Sequence, residues 1–212
     1  MKLTRTYDPV EIRVLGALLE KQQTTPEYYP MTLNSLIAAC NQKSNRFPVT
    51  EYSEEQISAA LDKLQHQVLV WKVMGARTAH WKHNLDGPLE LDGPSKAILT
   101  MLLLRGPQTT GELRGRTERL HNFPTIEEIE QVLLRMAADS DPLIVEVPRQ
   151  TGRKESRWMH LLEGPVLMEA ARSASSPPAS TRTDSLHRIE QLENRLSKVE
   201  EVLRELKEKL GE

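Results

Sequence analysis

Six histidines and one cysteine are the residues most able to hold a metal or move a proton at neutral pH, and their spacing decides whether they do so. His80 and His83 stand three apart in the extended run TAHWKHNL. Alternation sends their rings to opposite sides, so one ion cannot hold both. No His-Glu-x-x-His pattern or carboxylate cluster supports either ring. Ser, His and Asp occur without a spacing that joins a nucleophile to its base. Phosphate-cradling glycine loops, dinucleotide fingerprints and nucleophile elbows are absent from the chain. Cys40 has no second cysteine to pair with and falls with Leu33, Leu36 and Ile37 on one helical face, which points to packing. The expectation is a protein with no catalytic residue, no cofactor and no metal.

Arginine and lysine offer a different chemistry, the binding of a phosphate backbone. Arg114, Arg116 and Arg119 cluster in one short segment, Arg149, Arg153, Lys154 and Arg157 in another, and Lys43 and Arg46 in a polar loop. If they converge, they form a surface for double-stranded DNA; otherwise they are ordinary solvated charges, some paired with nearby Glu112, Glu118 and Glu155. Against this, the formal charge is only −2 over 212 residues, which excludes a strongly basic polyanion binder.

The elements that must position these residues follow from caps and periodicity. Asp8, Pro9 and Glu11 read as the start of a helix with a capping box, and Val10, Val14, Leu15, Leu18 and Leu19 give it a broad apolar face. Pro26 and Pro30 break it. A second helix spans roughly Thr32–Asn41. Ser53 with Gln56 opens a third, running to about Gln67, with Ile57, Leu61 and Leu64 inward. The period then changes: VLVWKV and TAHWKHNL, joined by a turn at Met74–Arg77, read as a hairpin.

After Gly87-Pro88 and Gly93-Pro94 the pattern repeats. Ile98 to Leu103 form a first helix, ended by Gly106-Pro107. Thr109 or Thr110 caps a second containing Leu113. Thr125 with Glu128 caps a third with Ile129, Leu133 and Met136 inward, and LIVEV and SRWMHLL make a second hairpin. Phe47-Pro48 corresponds to Phe123-Pro124, and HWKH (80–83) to RWMH (157–160). Trp81 and Trp158 therefore take equivalent places, pointing to one sheet face and packing each hairpin onto its helices.

Three helices followed by a β-wing is the order of a winged helix. The fold class expected is mainly α with small β-hairpins: two tandem winged-helix domains, 1–86 and 94–172, joined by a linker at 87–93. A small, polar, proline-containing linker follows at 173–183. From 184 to 212 the chain reads as a coiled-coil helix. Ile189, Leu192, Leu196, Val199, Leu203, Leu206 and Leu210 form an a/d seam, flanked by Arg188 and Arg195 at g and Glu193 and Glu200 at e. Opposite charges at these positions favour a parallel dimer of this chain, the alternative being that the helix docks on its own body or on a partner.

The segment VEIRVLGALLEKQQTTPEYYPMTLNSLIAACNQKSNRFPV resembles the YceH-like family of bacterial proteins, a domain of unknown function, and the similarity spans roughly Leu3 to Leu162. The resemblance implies a tandem winged-helix fold, in agreement with the repeat. It implies no reaction, cofactor or ligand. It also takes in the polar positions Glu20, Lys21, Thr25, Pro26, Tyr28, Tyr29, Pro30, Asn34 and Asn41–Arg46, to which it assigns no role.

Two functions follow as expectations. The one the winged-helix order favours is a DNA-binding or transcription-associated regulator, a dimer held by the tail that touches backbone through the second wing and the second helix of the second repeat. The other is a scaffold whose winged helices bind a partner protein. Acidic residues bear on the choice. Glu54, Glu55 and Asp62 on the third helix, and Glu127 and Glu130 on its counterpart, disfavour the usual docking of that helix in the major groove. No apolar run is long enough to span a bilayer, and the start MKLTRTYDPVEIRVL turns charged too early for a signal peptide. A cytoplasmic protein with no membrane partner is expected.

Overall fold

Asp8 opens the first helix as its spacing requires. Its carboxylate accepts from the Val10 and Glu11 backbone N–H groups, and Glu11 returns the bond to the Asp8 N–H at 2.7 Å. The computed structural model describes residues 7–75, 78–149 and 155–163. Within them the chain runs through α1 (Pro9–Thr24), a 3-10 turn (Pro26–Tyr28), β1 (Met31–Thr32), α2 (Leu33–Cys40), α3 (Glu54–His66), β2 (Val70–Met74) and β3 (Ala79–His83). It continues through α4 (Gly93–Arg105), α5 (Thr110–Thr117), α6 (Ile126–Ala138), β4 (Ile144–Val147) and β5 (Arg157–His160). The protein is thus mainly helical with small antiparallel sheets. The expected linker at 173–183 and helix at 184–212, with its seam from Ile189 to Leu210, lie outside the described residues.

Local chemistry sets most boundaries. Ser53 and Gln56 form a reciprocal capping box at α3, and Thr109 and Glu112 do so at α5. Thr32 caps α2 and Asp92 caps α4. Thr125 caps α6 through the Glu128 N–H, but the Glu128 carboxylate does not return the bond, so the expected box is only half formed. Gly106 ends α4 at φ +68°, a left-handed value suited to a residue without a Cβ.

The repeat reaches into the sheet registers. Trp81 pairs with Lys72 across the β2–β3 hairpin and with Met31 of β1 on its other side. Trp158 pairs with Glu146 across β4–β5, and on its other side bridges Gln108, just before α5, through two backbone bonds of 3.0 and 2.7 Å. Both indoles are buried against the helices. His83 and His160 match as well. Each Nδ1 accepts from the backbone N–H two residues on, of Leu85 and Leu162 respectively, at 3.3 Å. His80 lies on the opposite sheet face from His83.

The two repeats share one buried core. α1 packs along α4, and Gly16 makes the approach possible: a Cβ there would lie 2.9 Å from Leu104 Cδ2 and 3.1 Å from Leu103 Cβ. For this reason α1 is buried on all sides from Glu11 to Glu20, not on one face only.

Candidate interaction surface

The polar loop between α2 and α3 is built from the inside. Asn41 copies a strand partner: its Nδ2 donates to the Tyr52 carbonyl and its Oδ1 accepts from the Tyr52 N–H, both at 2.8 Å. Asn45 takes φ 56°, a turn that asparagine tolerates, and swings Arg46 inward. The Arg46 guanidinium is buried. Its Nη2 and Nη1 meet the two Glu20 oxygens at 2.6 and 3.1 Å, Nε donates to the Ala39 carbonyl at 3.0 Å, and Nη2 also reaches Gln42 Oε1. Arg13 reaches from α1 to the carbonyls of Cys40 and Pro48 at 3.1 and 2.7 Å. Cys40 sits beneath in the core, where burial pushes its thiol up to about 12.

This frame leaves Phe47 outside, 70% exposed, with Val49 beside it. The Phe47 N–H donates to the Leu104 carbonyl at 3.0 Å, tying the loop to the end of α4, and Arg105 Nη1 reaches Asn45 Oδ1 at 3.2 Å. An aromatic ring and a cation from two different repeats therefore border one stiff loop.

The cations expected to meet DNA are distributed otherwise than their clustering in sequence suggests. Arg46 is removed from that surface, since its charge is enclosed and paired with Glu20. Arg114 holds the loop before α6, donating to the Phe123 and Pro124 carbonyls at 3.2 and 2.7 Å. Arg116 and Arg157 converge, but on Glu112: at 3.6 and 3.1 Å, with further bonds from Arg116 to Gln108 Oε1 and from Arg157 to the Pro107 carbonyl. Burial, with the Arg116 charge beside it, lowers the pKa of Arg105 from its ordinary value. Lys43, Arg119 and Arg149 stand exposed and make no hydrogen bond or ion pair with other described residues. Arg153 and Lys154 lie outside the described residues.

The first hairpin carries a second exposed surface. Val70, Lys72, Trp81 and His83 face the helices, while Trp71, Val73, His80 and Lys82 face away. Trp71 is 44% exposed and Val73 37%, and Lys82 Nζ stands 4.8 Å from the Trp71 ring centroid. On the inner side a groove of about 410 Å³ runs between Leu33, Ser58 and Asp62 of the helices and Lys72 and Trp81 of the hairpin. A groove of about 700 Å³ lies along Pro88–Asp92 and the end of α6, where Arg135 pairs with Asp92. Among the described residues no three His, Cys, Asp or Glu side chains are placed to hold a metal ion, and no helix is long and apolar enough to cross a membrane.

The buried histidines do structural work. His83 Nε2 meets Gln22 Oε1 at 2.8 Å, and the His83 N–H donates to the Tyr29 hydroxyl at 2.7 Å. Burial lowers both His83 and His160 to about 4 and raises the Tyr29 phenol.

Spacing alone overlooked Arg13, Glu20, Phe47, Trp71 and Arg105. For Phe47 a signal did exist, since Arg46 offers a long polar side chain where Asn122 precedes Phe123. The partnership of Glu20 with Arg46, 26 residues apart, leaves no such trace.

Such a molecule is a mainly helical protein with small antiparallel sheets, with Phe47 and Val49 exposed on one loop, Trp71, Val73 and Met74 on one hairpin, and Tyr28, Ile126 and Leu134 exposed elsewhere. The chain matches the family described as "Protein of unknown function, DUF480" over residues 7–153, and it belongs to that family. A UPF0502 protein of Acidovorax sp. (strain JS42) is 43% identical over 98% of this chain and 96% of its own length. Similar proteins of the same name occur in Geotalea uraniireducens (strain Rf4), 49% identical over 81% of this chain and 78% of the relative, and in Dechloromonas aromatica (strain RCB), 44% identical over 93% and 91%.

Proposed function

We propose that the chain is a non-enzymatic protein-interaction module made of two tandem winged-helix units, with the loop around Phe47 as its principal contact. One observation carries this reading: Phe47 is exposed on a loop held rigid by the buried Arg46–Glu20 pair. A large aromatic side chain presented on a preorganised backbone loses little entropy on binding, and such residues dominate the affinity of protein interfaces.

The distribution of charge supports a protein partner over DNA. Arg114, Arg116 and Arg157 are engaged by carbonyls and by Glu112. The outward faces of α3 and α6 carry Glu54, Glu55 and Asp62, and Glu127, Glu128 and Glu130. A phosphate backbone meeting those helices would face carboxylates.

The test begins with a photo-crosslinking residue at position 47 in native cells, followed by purification of the captured partner. The partner is expected to bind the intact chain without nuclease sensitivity, and Phe47→Ala to weaken binding about tenfold or more. Binding of a generic duplex that falls steeply with salt, is lost in Arg119→Ala and Arg149→Ala, and is unchanged by Phe47→Ala would overturn the reading in favour of a DNA-binding regulator.

A further inference from the structure

The registers of the first hairpin fix where its backbone groups point. The Gly75 N–H donates to the Thr78 carbonyl at 3.0 Å and the Asn84 N–H to the Leu69 carbonyl at 2.8 Å. In an antiparallel ladder, hydrogen-bonded and non-bonded pairs alternate. Trp71 and Val73 therefore aim their N–H and C=O groups at β3, whereas those of Lys72 and Met74 aim away from it. The sheet order is β1-β3-β2, so β2 is an edge, and no described residue meets the outward groups of Lys72 or Met74.

The side chains along that edge are not those of a protected strand. Natural edges are kept from pairing by charge, proline or a covering element. Here Trp71 and Val73 are exposed on the outer face, and Met74 at the end of the strand is 76% exposed. Lys72 and Lys82 lie over the Trp81 and Trp71 rings, 5.3 and 4.8 Å from their centroids. The other repeat shows the covered counterpart: Val147 and Met159, which occupy the places of Val73 and Lys82, are both buried.

We infer that the outer edge of β2 receives an extended segment of a partner protein in which acidic and aliphatic residues alternate, adding to the first sheet as a further strand. The outward N–H and C=O groups of Lys72 and Met74 supply the ladder. The aliphatic side chains of the segment fall on Trp71 and Val73 on one face, and the acidic ones lie beside Lys72 at the groove on the other. Lys72, the exposed cation on that second face, selects the charge. Pairing with β2 of a second copy puts the two Lys72 side chains on one face, whereas acidic side chains complement Lys72. The inference takes from the proposed function only that the partner is a protein.

The test uses the full chain and two capped synthetic peptides of about eight residues, the length of an ordinary strand. One alternates glutamate with valine, and the other replaces each glutamate with lysine. The glutamate peptide is expected to shift the backbone amide resonances of Val70–Met74 and to slow hydrogen exchange at Lys72 and Met74, and the lysine peptide to do neither. Met74→Pro removes an outward N–H without touching the β2–β3 ladder and abolishes the effect. Trp71→Ala, at an exposed position, weakens it. If the amides of β2 stay unmoved at millimolar glutamate peptide, or respond equally to both peptides, the inference is wrong. A failed peptide with an intact Phe47 crosslink would sink the docking strand alone. Peptide binding with no crosslinked protein at position 47 would sink the loop reading alone.

Discussion

Phe47 and Phe123 stand before the third helix of their respective repeats, each followed by proline, yet Phe47 is 70% exposed and Phe123 3%. The inward place in the first loop is taken by Arg46, whose bonds to Glu20 and Ala39 leave no room for the ring. In the second loop Phe123 itself turns in and meets His121 edge-on, 4.7 Å between centroids.

That difference predicts opposite responses to the same change. Phe123→Ala leaves a cavity and is expected to cost about 3–5 kcal/mol of folding stability. Phe47→Ala is expected to stay within about 0.5 kcal/mol of the parent protein. Urea denaturation of both variants measures the contrast, and equal costs would mean that the two loops are built alike.

The buried ion pair makes a second prediction. Arg46→Met leaves the enclosed Glu20 carboxylate with only the looser Lys21 contact at 3.6 Å and is expected to destabilise by about 3 kcal/mol. Adding Glu20→Leu removes the stranded charge and should restore most of that loss. A double variant no more stable than Arg46→Met alone would show that the guanidinium matters for its bonds to the loop rather than for its charge.

Helix packing makes a third. Alanine favours a helix over glycine by about 1 kcal/mol, so Gly16→Ala would stabilise α1 in isolation. Against Leu103 and Leu104 it is expected instead to destabilise by about 1–3 kcal/mol, because those side chains must give way. Gly16→Val should cost more. A raised melting temperature for Gly16→Ala would refute the close approach of α1 and α4.

Acid should loosen the fold through His83 and His160. Burial lowers both to about 4 in the folded protein, against about 6.5 in an unfolded chain. Each therefore binds a proton more readily when unfolded. Its contribution is complete above pH 6.5 and is lost as the pH falls towards 4, by about 2 kcal/mol each at pH 5. His160→Asn keeps an acceptor near the Leu162 N–H and no longer titrates. Its stability should fall less between pH 7 and pH 5 than that of the parent protein, and parallel pH profiles would remove His160 from the effect.

Much of the fold was legible in the chain because its signals are local. The capping boxes at Asp8, Ser53 and Thr109 act within one turn of helix. The strand registers repeat because the Trp and His of each hairpin stand at the same spacing. The candidate surface was less legible. The chain left Arg114, Arg116 and Arg157 open between a phosphate-binding surface and charges paired with nearby Glu112, Glu118 or Glu155. The structure sets Arg116 and Arg157 on Glu112 and Arg114 on the Phe123 and Pro124 carbonyls.

The residue order alone determined the three-helix-and-hairpin pattern, its repetition and the equivalent places of Trp81 and Trp158. Periodicity and caps depend on neighbours a few positions away. Tertiary structure alone decided that Arg46 turns inward and Phe47 outward, and that the outer face of β2–β3 stays bare while Val147 and Met159 are covered. Two segments carrying the same local instructions acquire different neighbours once α1 and α4 pack together. A charged or aromatic side chain is buried or left in water according to those neighbours.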